Sequence, residues 1–288
     1  MSTEGRGLYR RRRIGIELRR IREERELTQE SAARLLGRSQ ASLSEYENGR
    51  RAIRPRDLAQ ILDGYGITDD RLRAQLLDLA DKGRRDGWWR GFEERLDPNA
   101  VDYASLEGDA SRISAFEPQL VHGLLQEEEY ARTIIKCYVE RLSPSLDCEL
   151  EVDFRMRRQR VLRRARPPHL AVVLGEGALH LEVGGPVVMR AQLDRLLGAA
   201  AAPNIDLRVL PFKAGMHPGT NGAFSILDVG VGRNELQVVT VHSLTMSQYI
   251  DDAENIGHYR SAFDSLRELA LPQADSVALI ERIASSYA

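Results

Sequence analysis

The chain has 288 residues, of which 42% are hydrophobic and 29% are charged, and a formal net charge of −2, the profile of an ordinary globular protein with room for two domains. No apolar run approaches the ~18 residues that span a bilayer, and none follows the N-terminal arginines, so we expect neither a membrane partner nor a signal peptide. Two cysteines are too few for a disulfide framework or a cysteine-rich zinc site, so a reducing cytoplasm is the simplest location.

The charge is distributed unevenly along the chain. Residues 1–56 hold 15 arginines and 8 acidic residues, a net charge of +7, which leaves 26 basic and 35 acidic residues, a net charge of −9, for the remainder. A basic N-terminal part on an acidic body indicates that the N-terminal part meets a polyanion. A solvated arginine-rich face would have the same composition, so charge alone does not decide between them.

The chain is predicted to begin with a basic, disordered arm over residues 1–13. Apolar residues then recur at helical spacing from Ile14, which starts the first helix. Thr28 is a good N-cap for a second helix, and Gly37 permits the positive φ that ends it.

Three more helices complete the N-terminal part. Ser39 caps the third, which stops at Asn48-Gly49. Pro55 suits the first turn of the fourth, and a fifth is expected from Asp69 to Lys82. Residues 14–82 are therefore predicted to form an all-α, five-helix domain.

Residues 83–100 are the predicted linker, because they are rich in glycine and charge. They also contain Trp88 and Trp89, and aromatic side chains in a linker usually dock on a neighbouring domain. A fixed connection is therefore expected.

Residues 101–288 are predicted to form an α+β domain with a small mixed or antiparallel sheet flanked by helices, which makes the whole chain α+β. The pattern predicts helices at 101–108, 126–140, 147–164, 187–201, 251–270 and 272–286. It predicts strands after Pro168, at 204–212, on both sides of a hairpin turn at 229–234, and at 245–250.

The loop 213–224 is either a flexible lip over a groove or a plain connection. The cations of "RMRRQRVLRRAR" (155–166) are interpreted as a solvated face paired to the acidic body rather than an extension of the DNA footprint.

The segment "TQESAARLLGRSQASLSEYENGR" (28–50) pairs a helix, a glycine turn and a helix rich in Ser, Gln and Glu. A DNA-reading helix-turn-helix needs this arrangement, because the first helix braces the second in the major groove. Short polar side chains let the helix backbone approach base edges, and Gln and Arg are bidentate readers. A helical bundle without nucleic acid would share the glycine turn, but the basic N-terminal part favours DNA.

Residues 14–80 resemble the five-helix phage-repressor DNA-binding domain of the XRE family, on "LTQESAARLLG", "SQASLSEYENGRR" and "RPRDLAQIL". The resemblance implies a double-stranded DNA operator as partner. The predicted DNA-binding residues are Arg12, Arg13, Gln29, Ser39, Gln40, Ala41, Ser42, Ser44, Glu45, Arg50 and Arg51.

The resemblance also implies individual roles within this set. Gln29 matches a position near a phosphate, while Gln40, Ala41 and Glu45 match positions that face the groove. Ala41 and Glu45 stand where the best-known phage members have glutamines, so the operator cannot be copied from those relatives. Arg22 and Glu47 match a structural ion pair that joins the first helix to the recognition helix.

The rest of the chain resembles the large C-terminal domain of actinobacterial XRE regulators, often labelled antitoxin-like or WhiJ-like. The motifs are "FEPQLVHGLLQEEEYAR", "RMRRQRVL", "VVLGEGALHLEVGGPVVMRAQLDRL", "RVLPFKAGMHPGTNGAFSILD" and "HYRSAFDSLRELAL". That domain has no assigned reaction, and its genes tend to lie beside genes for short companion proteins. The resemblance assigns no ligand-binding or partner-binding residues.

A catalytic constellation is not found in the sequence. The histidines show no tight metal-ligand spacing, and no phosphate-binding, dinucleotide-binding or nucleophile-elbow motif is present. Glu176 and His180 are four residues apart, but in a predicted turn and strand that spacing would not align them. We therefore expect no enzyme activity, no catalytic residue, no cofactor and no metal.

The sequence predicts a homodimeric, sequence-specific transcriptional regulator whose C-terminal domain receives a signal from a small companion protein or a small molecule. One alternative is an antitoxin-like stoichiometric inhibitor that binds DNA only to regulate its own promoter. The other, an enzyme with an appended DNA-binding module, is disfavoured by the missing constellation.

Overall fold

The computed structural model describes residues 9–82, 87–229, 236–244 and 247–287. They divide into two compact units, one ending at Ser105 and the other beginning at Leu106. The first is a helical bundle and the second combines helices with a mixed sheet, so the predicted α+β class is confirmed.

The first unit contains the five predicted helices, which are confirmed, and the start of a sixth. Their bounds are α1 (Tyr9–Glu23), α2 (Gln29–Leu35), α3 (Gln40–Glu47), α4 (Pro55–Gly64), α5 (Asp70–Lys82) and α6 (Pro98–Asp109). Within the predicted linker, Trp88–Phe92 forms a 3-10 turn in which the Trp88 ring meets Trp89 and Phe92 edge to face. The apolar stripes of α1, α3 and α4 supply fully buried side chains: Leu18, Ile21, Leu43, Leu58, Ile61 and Leu62.

The start of α1 corrects the prediction of a disordered arm. Tyr9 donates its backbone N–H to the carboxylate of Asp102, and the buried Arg10 donates from Nη1 to Ser105 Oγ at 2.7 Å. A carboxylate is stabilising at a helix N-terminus, where N–H groups lack partners. Residues 9–13 are therefore helical, and residues 1–8 lie outside the described residues.

The second unit is built on a six-stranded mixed sheet in the order β3-β2-β1-β4-β5-β6. The strands are β1 (Ala110–Glu117), β2 (His169–Gly175), β3 (Ile205–Leu210), β4 (Phe224–Val229), β5 (Leu236–His242) and β6 (Ser247–Ile250). β1, β2 and β3 are parallel, whereas β4, β5 and β6 continue antiparallel from β1. Ile113 stands opposite Leu170 on one side and Leu227 on the other, which makes β1 a central strand.

Helices cover both faces of this sheet. They are α7 (Glu128–Leu142), α8 (Cys148–Arg158), α9 (Gly177–His180), α10 (Pro186–Ala200), α11 (Ala253–Leu269) and α12 (Gln273–Ser285). α10 and α12 pack with one face of the parallel strands through residues such as Leu193 and Ile280, and α11 packs on the opposite face through Phe263 and Leu266. Each face of the sheet thus has its own apolar core.

Two features of the second unit differ from the sequence prediction. β1 was not predicted, because the consecutive residues 113–116 are buried on both faces and lack the alternation of a half-exposed strand. The predicted helix 147–164 ends at Arg158 and continues as a 3-10 turn over Gln159–Arg163. The turn predicted at 229–234 lies outside the described residues, apart from Val229.

The basic segment 155–166 combines exposed arginines, such as Arg160 and Arg166, with arginines bound within the second unit. Arg158 binds the buried Glu107 with two hydrogen bonds, at 2.8 and 2.9 Å. Arg155 donates to Gln126 Oε1 at 2.9 Å, and Arg164 donates to the carbonyl of Ala110 at 2.9 Å. The pairing of Arg158 with an acidic residue agrees with the interpretation, but the contact is largely buried. Arg155 and Arg164 instead bind neutral groups.

Candidate nucleic-acid interface

The helix pair α2–α3 is built from two capped helices and a tight glycine turn. Thr28 Oγ1 accepts the N–H of Ser31 at 3.1 Å, and Ser39 Oγ accepts the N–H of Ser42 at 3.2 Å. Gly37 has a φ of 62°, which a residue with a Cβ rarely adopts. These caps fix where each helix starts, and so which side chains α3 turns outward.

α1 lies directly on the C-terminal end of α3. A Cβ on Gly15 would stand 2.5 Å from the carbonyl oxygens of both Tyr46 and Glu47, so only glycine permits this approach. After α3, Gly49 has a φ of 65°, and a Cβ there would stand 2.9 Å from the Arg12 Cα. The C-terminal end of α3 is therefore held by close backbone contact with α1.

Arg22 and Glu47 form a buried ion pair at the same junction. Arg22 donates from Nε to Glu47 Oε1 at 2.7 Å and from Nη2 to Oε2 at 3.0 Å, and the Glu47 side chain is 0% exposed. A third hydrogen bond comes from Gln29 Nε2 at 2.9 Å. The hydrogen bonding to Glu47 raises the pKa of Arg22. This pair joins the first helix to α3, and Gln29 adds the start of α2.

The outward side of α3 carries most of the predicted reading residues. Gln40, Ala41 and Glu45 are exposed, as is Ser39 in front of them. The Gln40 side chain makes no hydrogen bond to any residue that the structure describes, so its amide is available to a ligand. Ser42 is half-buried, and its Oγ accepts from Ser39 Oγ at 3.0 Å.

Other predicted residues are already engaged within the protein. Ser44 Oγ accepts from Asn48 Nδ2 at 3.3 Å. Glu45 Oε2 lies 3.5 Å from Arg51 Nη1, and the Arg51 guanidinium lies 5.8 Å from the Tyr46 ring centroid. Both members of the Glu45–Arg51 pair are exposed, and such pairs contribute only ~0–1 kcal/mol, so DNA could displace this contact.

The predicted cationic residues lie on both sides of α3 in sequence. Arg12 and Arg13 belong to α1; Arg12 is exposed and its backbone faces Gly49, while Arg13 is half-buried. Arg50 and Arg51 are exposed in the turn that follows α3.

Sequence reasoning missed Arg19 and Asn48. The exposed Arg19 donates from Nη2 to Asn48 Oδ1 at 2.7 Å, and its Nε lies 3.9 Å from Glu47 Oε2. Arg19 thus places a cation at the C-terminal end of α3. The signal available in the sequence was its position three residues before Arg22 on the same helix.

The Glu176–His180 pair corrects a further expectation. The segment forms the short helix α9, and His180 Nε2 lies 3.7 Å from Glu176 Oε1. The prediction that this spacing would not align them was wrong. The other carboxylate oxygen of Glu176 accepts a hydrogen bond from the N–H of Phe212 at 2.7 Å. This glutamate therefore connects α9 to the segment that follows β3.

Metal clusters and membrane spans are both absent from the described part of the chain. Its residues contain no group of three or more His, Cys, Asp or Glu placed to hold a metal ion. Across the same residues, no helix combines the length and the apolar character needed to cross a bilayer.

Comparison with known proteins agrees with the geometry of the first unit. Residues 13–76 match a family described as "Helix-turn-helix domain", and these residues contain the α2–α3 pair. The N-terminal part is thus a DNA-binding domain of the kind found in XRE-like regulators. No curated protein and no solved structure matches the chain. Residues 100–282, more than half of the chain, match the family described as "Domain of unknown function (DUF5753)", and the chain therefore belongs to the DUF5753 family.

Proposed function

We propose that this protein is a sequence-specific transcriptional regulator whose helix α3 reads the major groove of an operator. The observation that carries the proposal is the outward side of α3, which presents Gln40 without a partner among the described residues. That helix is oriented from behind by the buried Arg22–Glu47 pair. A recognition helix needs both an outward polar face and a fixed orientation.

The proposed roles follow from exposure and chemistry. Gln40 and Glu45 read bases, since a glutamine pairs bidentately with adenine and a carboxylate accepts from cytosine N4. Ala41 contacts a thymine methyl group. Ser39, Ser42 and Ser44, with the cations Arg12, Arg13, Arg50 and Arg51, position the helix on phosphates. Gln29 contacts a phosphate with the amide proton that Glu47 leaves unused.

We further propose that the protein binds as a homodimer to an inverted repeat. One recognition helix reads only a few base pairs, and two-fold symmetry doubles the contacts at half-sites one helical turn apart. The basic N-terminal domains would repel each other without DNA, so the acidic second unit is the better source of the dimer contact. Sedimentation of the full chain with a minimal operator tests this, and a strict 1:1 complex would contradict it.

The second unit is proposed to receive the signal, as a companion protein or a small molecule. The antitoxin-like alternative, a stoichiometric inhibitor that represses its own promoter, needs a protein partner. Purification from the native cell followed by mass spectrometry separates these readings. A short protein in constant ratio supports partnership, whereas a retained metabolite supports small-molecule sensing.

The test of sequence-specific binding is selection from a random DNA pool by the full chain. The expected result is a recurring inverted motif, retained at salt concentrations that remove non-specific complexes. A pool that stays random after several rounds, with DNA bound only through charge, would contradict sequence-specific regulation.

A further inference from the structure

The second unit contains a pocket of about 370 Å³. It lies between α10, the 3-10 turn Gly123–Leu125 that precedes α7, and the 3-10 turn Gln159–Arg163 that follows α8. This volume lies in the ~300–1,000 Å³ range of small-molecule sites. Its apolar wall is formed by Leu124, Leu125, Leu162, Ala199, Ala202 and Ile205. Three of these side chains, Leu124, Leu125 and Ile205, also belong to the buried core, so this part of the wall is rigid.

The polar part of the pocket is cationic. Arg163 and Arg195 both line it, and no carboxylate lines it among the described residues. Arg195 Nη2 donates to Gln159 Oε1, while the buried Arg195 Nε has no hydrogen-bond partner among the described atoms. Nε itself is closed to solvent, so a ligand in the pocket would meet other nitrogens of the two guanidinium groups.

Gln159 holds this arginine in place. Its Nε2 donates to the carbonyls of Gly123 and Gln126, at 3.1 and 2.8 Å, which leaves Oε1 as the acceptor for Arg195. The orientation of the amide is therefore set by backbone groups. Burial and the neighbouring Arg163 lower the pKa of Arg195, in keeping with two arginines that line one pocket. The acid that acts on Arg195, Glu127, already caps α7 by accepting the N–H of Glu129.

We propose that this pocket binds a small carboxylate with an apolar body, such as a medium-chain alkanoate. The carboxylate would accept from the guanidinium groups of Arg163 and Arg195, because a guanidinium and a carboxylate match in geometry and charge. The apolar body would lie against Leu124, Leu162 and Ile205. Any role of this ligand as a signal rests on the proposed DNA-binding function, whereas the binding itself does not.

α10 offers a way to close the pocket without disturbing the core. Gly198 lines the pocket on the same helix face as Arg195, and a Cβ there would meet no atom within 4 Å. A leucine at this position would project into open space, and it is a better helix former than glycine. Gly198→Leu should therefore fold and fill the pocket.

The experiment is calorimetric titration of the full chain, without DNA, with octanoate, octan-1-ol and acetate. Octanoate should bind, and both octan-1-ol and acetate should bind at least ~10-fold more weakly, because each lacks one half of the recognised chemistry. Arg195→Met should weaken octanoate binding ~10-fold or more, and Gly198→Leu should abolish it. The control Arg190→Gln removes a partly exposed arginine of α10 that pairs with Asp194, and should leave octanoate affinity unchanged.

The absence of octanoate binding to the unmodified chain would overturn the proposal. Equal binding of octan-1-ol, or unchanged affinity in Arg195→Met or in a folded Gly198→Leu, would overturn it as well. Circular dichroism of each variant establishes that it is folded. Because no DNA is present, a negative titration leaves the proposed regulator intact, and a failed DNA selection leaves the pocket intact.

Discussion

The carboxylate of Glu47 accepts hydrogen bonds from Nε and Nη2 of Arg22, at 2.7 and 3.0 Å, and is fully buried. Two residues earlier on the same helix, Glu45 is exposed and only loosely paired with Arg51 at 3.5 Å. The two glutamates of α3 thus differ in environment: one fixes the helix to α1 and α2, and the other faces outward. This contrast supplies a matched pair for mutation.

Glu47→Gln should destabilise the first unit by about 3–5 kcal/mol, because it removes the buried countercharge of Arg22 and leaves only the exposed Glu23 beside its guanidinium. The control Glu45→Gln removes an exposed pair and should change stability by ~0–1 kcal/mol. Urea unfolding followed by circular dichroism measures both. Equal stability of the two variants would mean that the buried pair does not hold α3.

Gly15→Ala should destabilise the same unit by ~1–3 kcal/mol, because the new methyl group would force α1 away from the carbonyl groups at the end of α3. The control Gly257→Ala lies in α11 where a Cβ meets nothing within 4 Å, so it should be neutral or stabilising by up to ~1 kcal/mol. The midpoint of urea unfolding distinguishes them. If Gly15→Ala behaved like the control, the close approach of α1 to α3 would be wrong.

The sequence predicted the first unit well because its signals are local. Caps at Thr28 and Ser39, a glycine turn at Gly37 and apolar spacing within each helix all act within a few residues. The central strand β1 escaped prediction, because burial on both faces removes the period of two.

Side-chain contacts that the sequence did not specify depend on distant partners. Arg158 pairs with Glu107, which is 51 residues away in the chain, and no local sequence pattern indicates that the two residues are in contact. The pocket of the second unit was missed for the same reason, since its walls come from three separate segments.

Gln40→Ala should weaken binding to the selected operator by ~1–3 kcal/mol and change binding to random DNA little, because it removes a base contact rather than a phosphate contact. Gln75, a half-buried glutamine on α5, gives a control variant of the same chemistry, and Gln75→Ala should affect neither. Competition binding assays with both DNAs measure the two affinities. An equal loss on operator and random DNA would show that Gln40 does not read a base.

Arg12→Ala and Arg50→Ala should each weaken binding to all sequences and reduce the log–log salt slope by about one, the effect of a lost phosphate contact. Point substitutions are preferable to deletion of residues 1–13, because Arg10 is part of the folded first unit. Arg71→Ala, on the exposed side of α5, is the control and should keep the slope. An unchanged salt slope in the Arg12→Ala variant would show that Arg12 of α1 does not contact a phosphate.

His122 gives the second unit a defined sensitivity to acid. Its ring is buried, its Nδ1 accepts the N–H of Leu124 at 3.3 Å, and burial, with smaller effects from Arg158 and other cations nearby, lowers its pKa to about 3. The unfolded chain takes up a proton at this histidine below pH ~6.5, whereas the folded chain does not, so stability falls as the pH drops from 6.5 towards 3.

His122→Asn removes this titration while keeping an acceptor suited to the N–H of Leu124. Between pH 7 and pH 5 the unmodified protein should therefore lose about 2 kcal/mol more stability than the variant, since each pH unit below 6.5 contributes ~1.4 kcal/mol. The difference between the two pH profiles isolates His122, because groups common to both proteins cancel. Parallel profiles for His122→Asn and the unmodified chain would show that His122 is protonated in the folded state as easily as in the unfolded one.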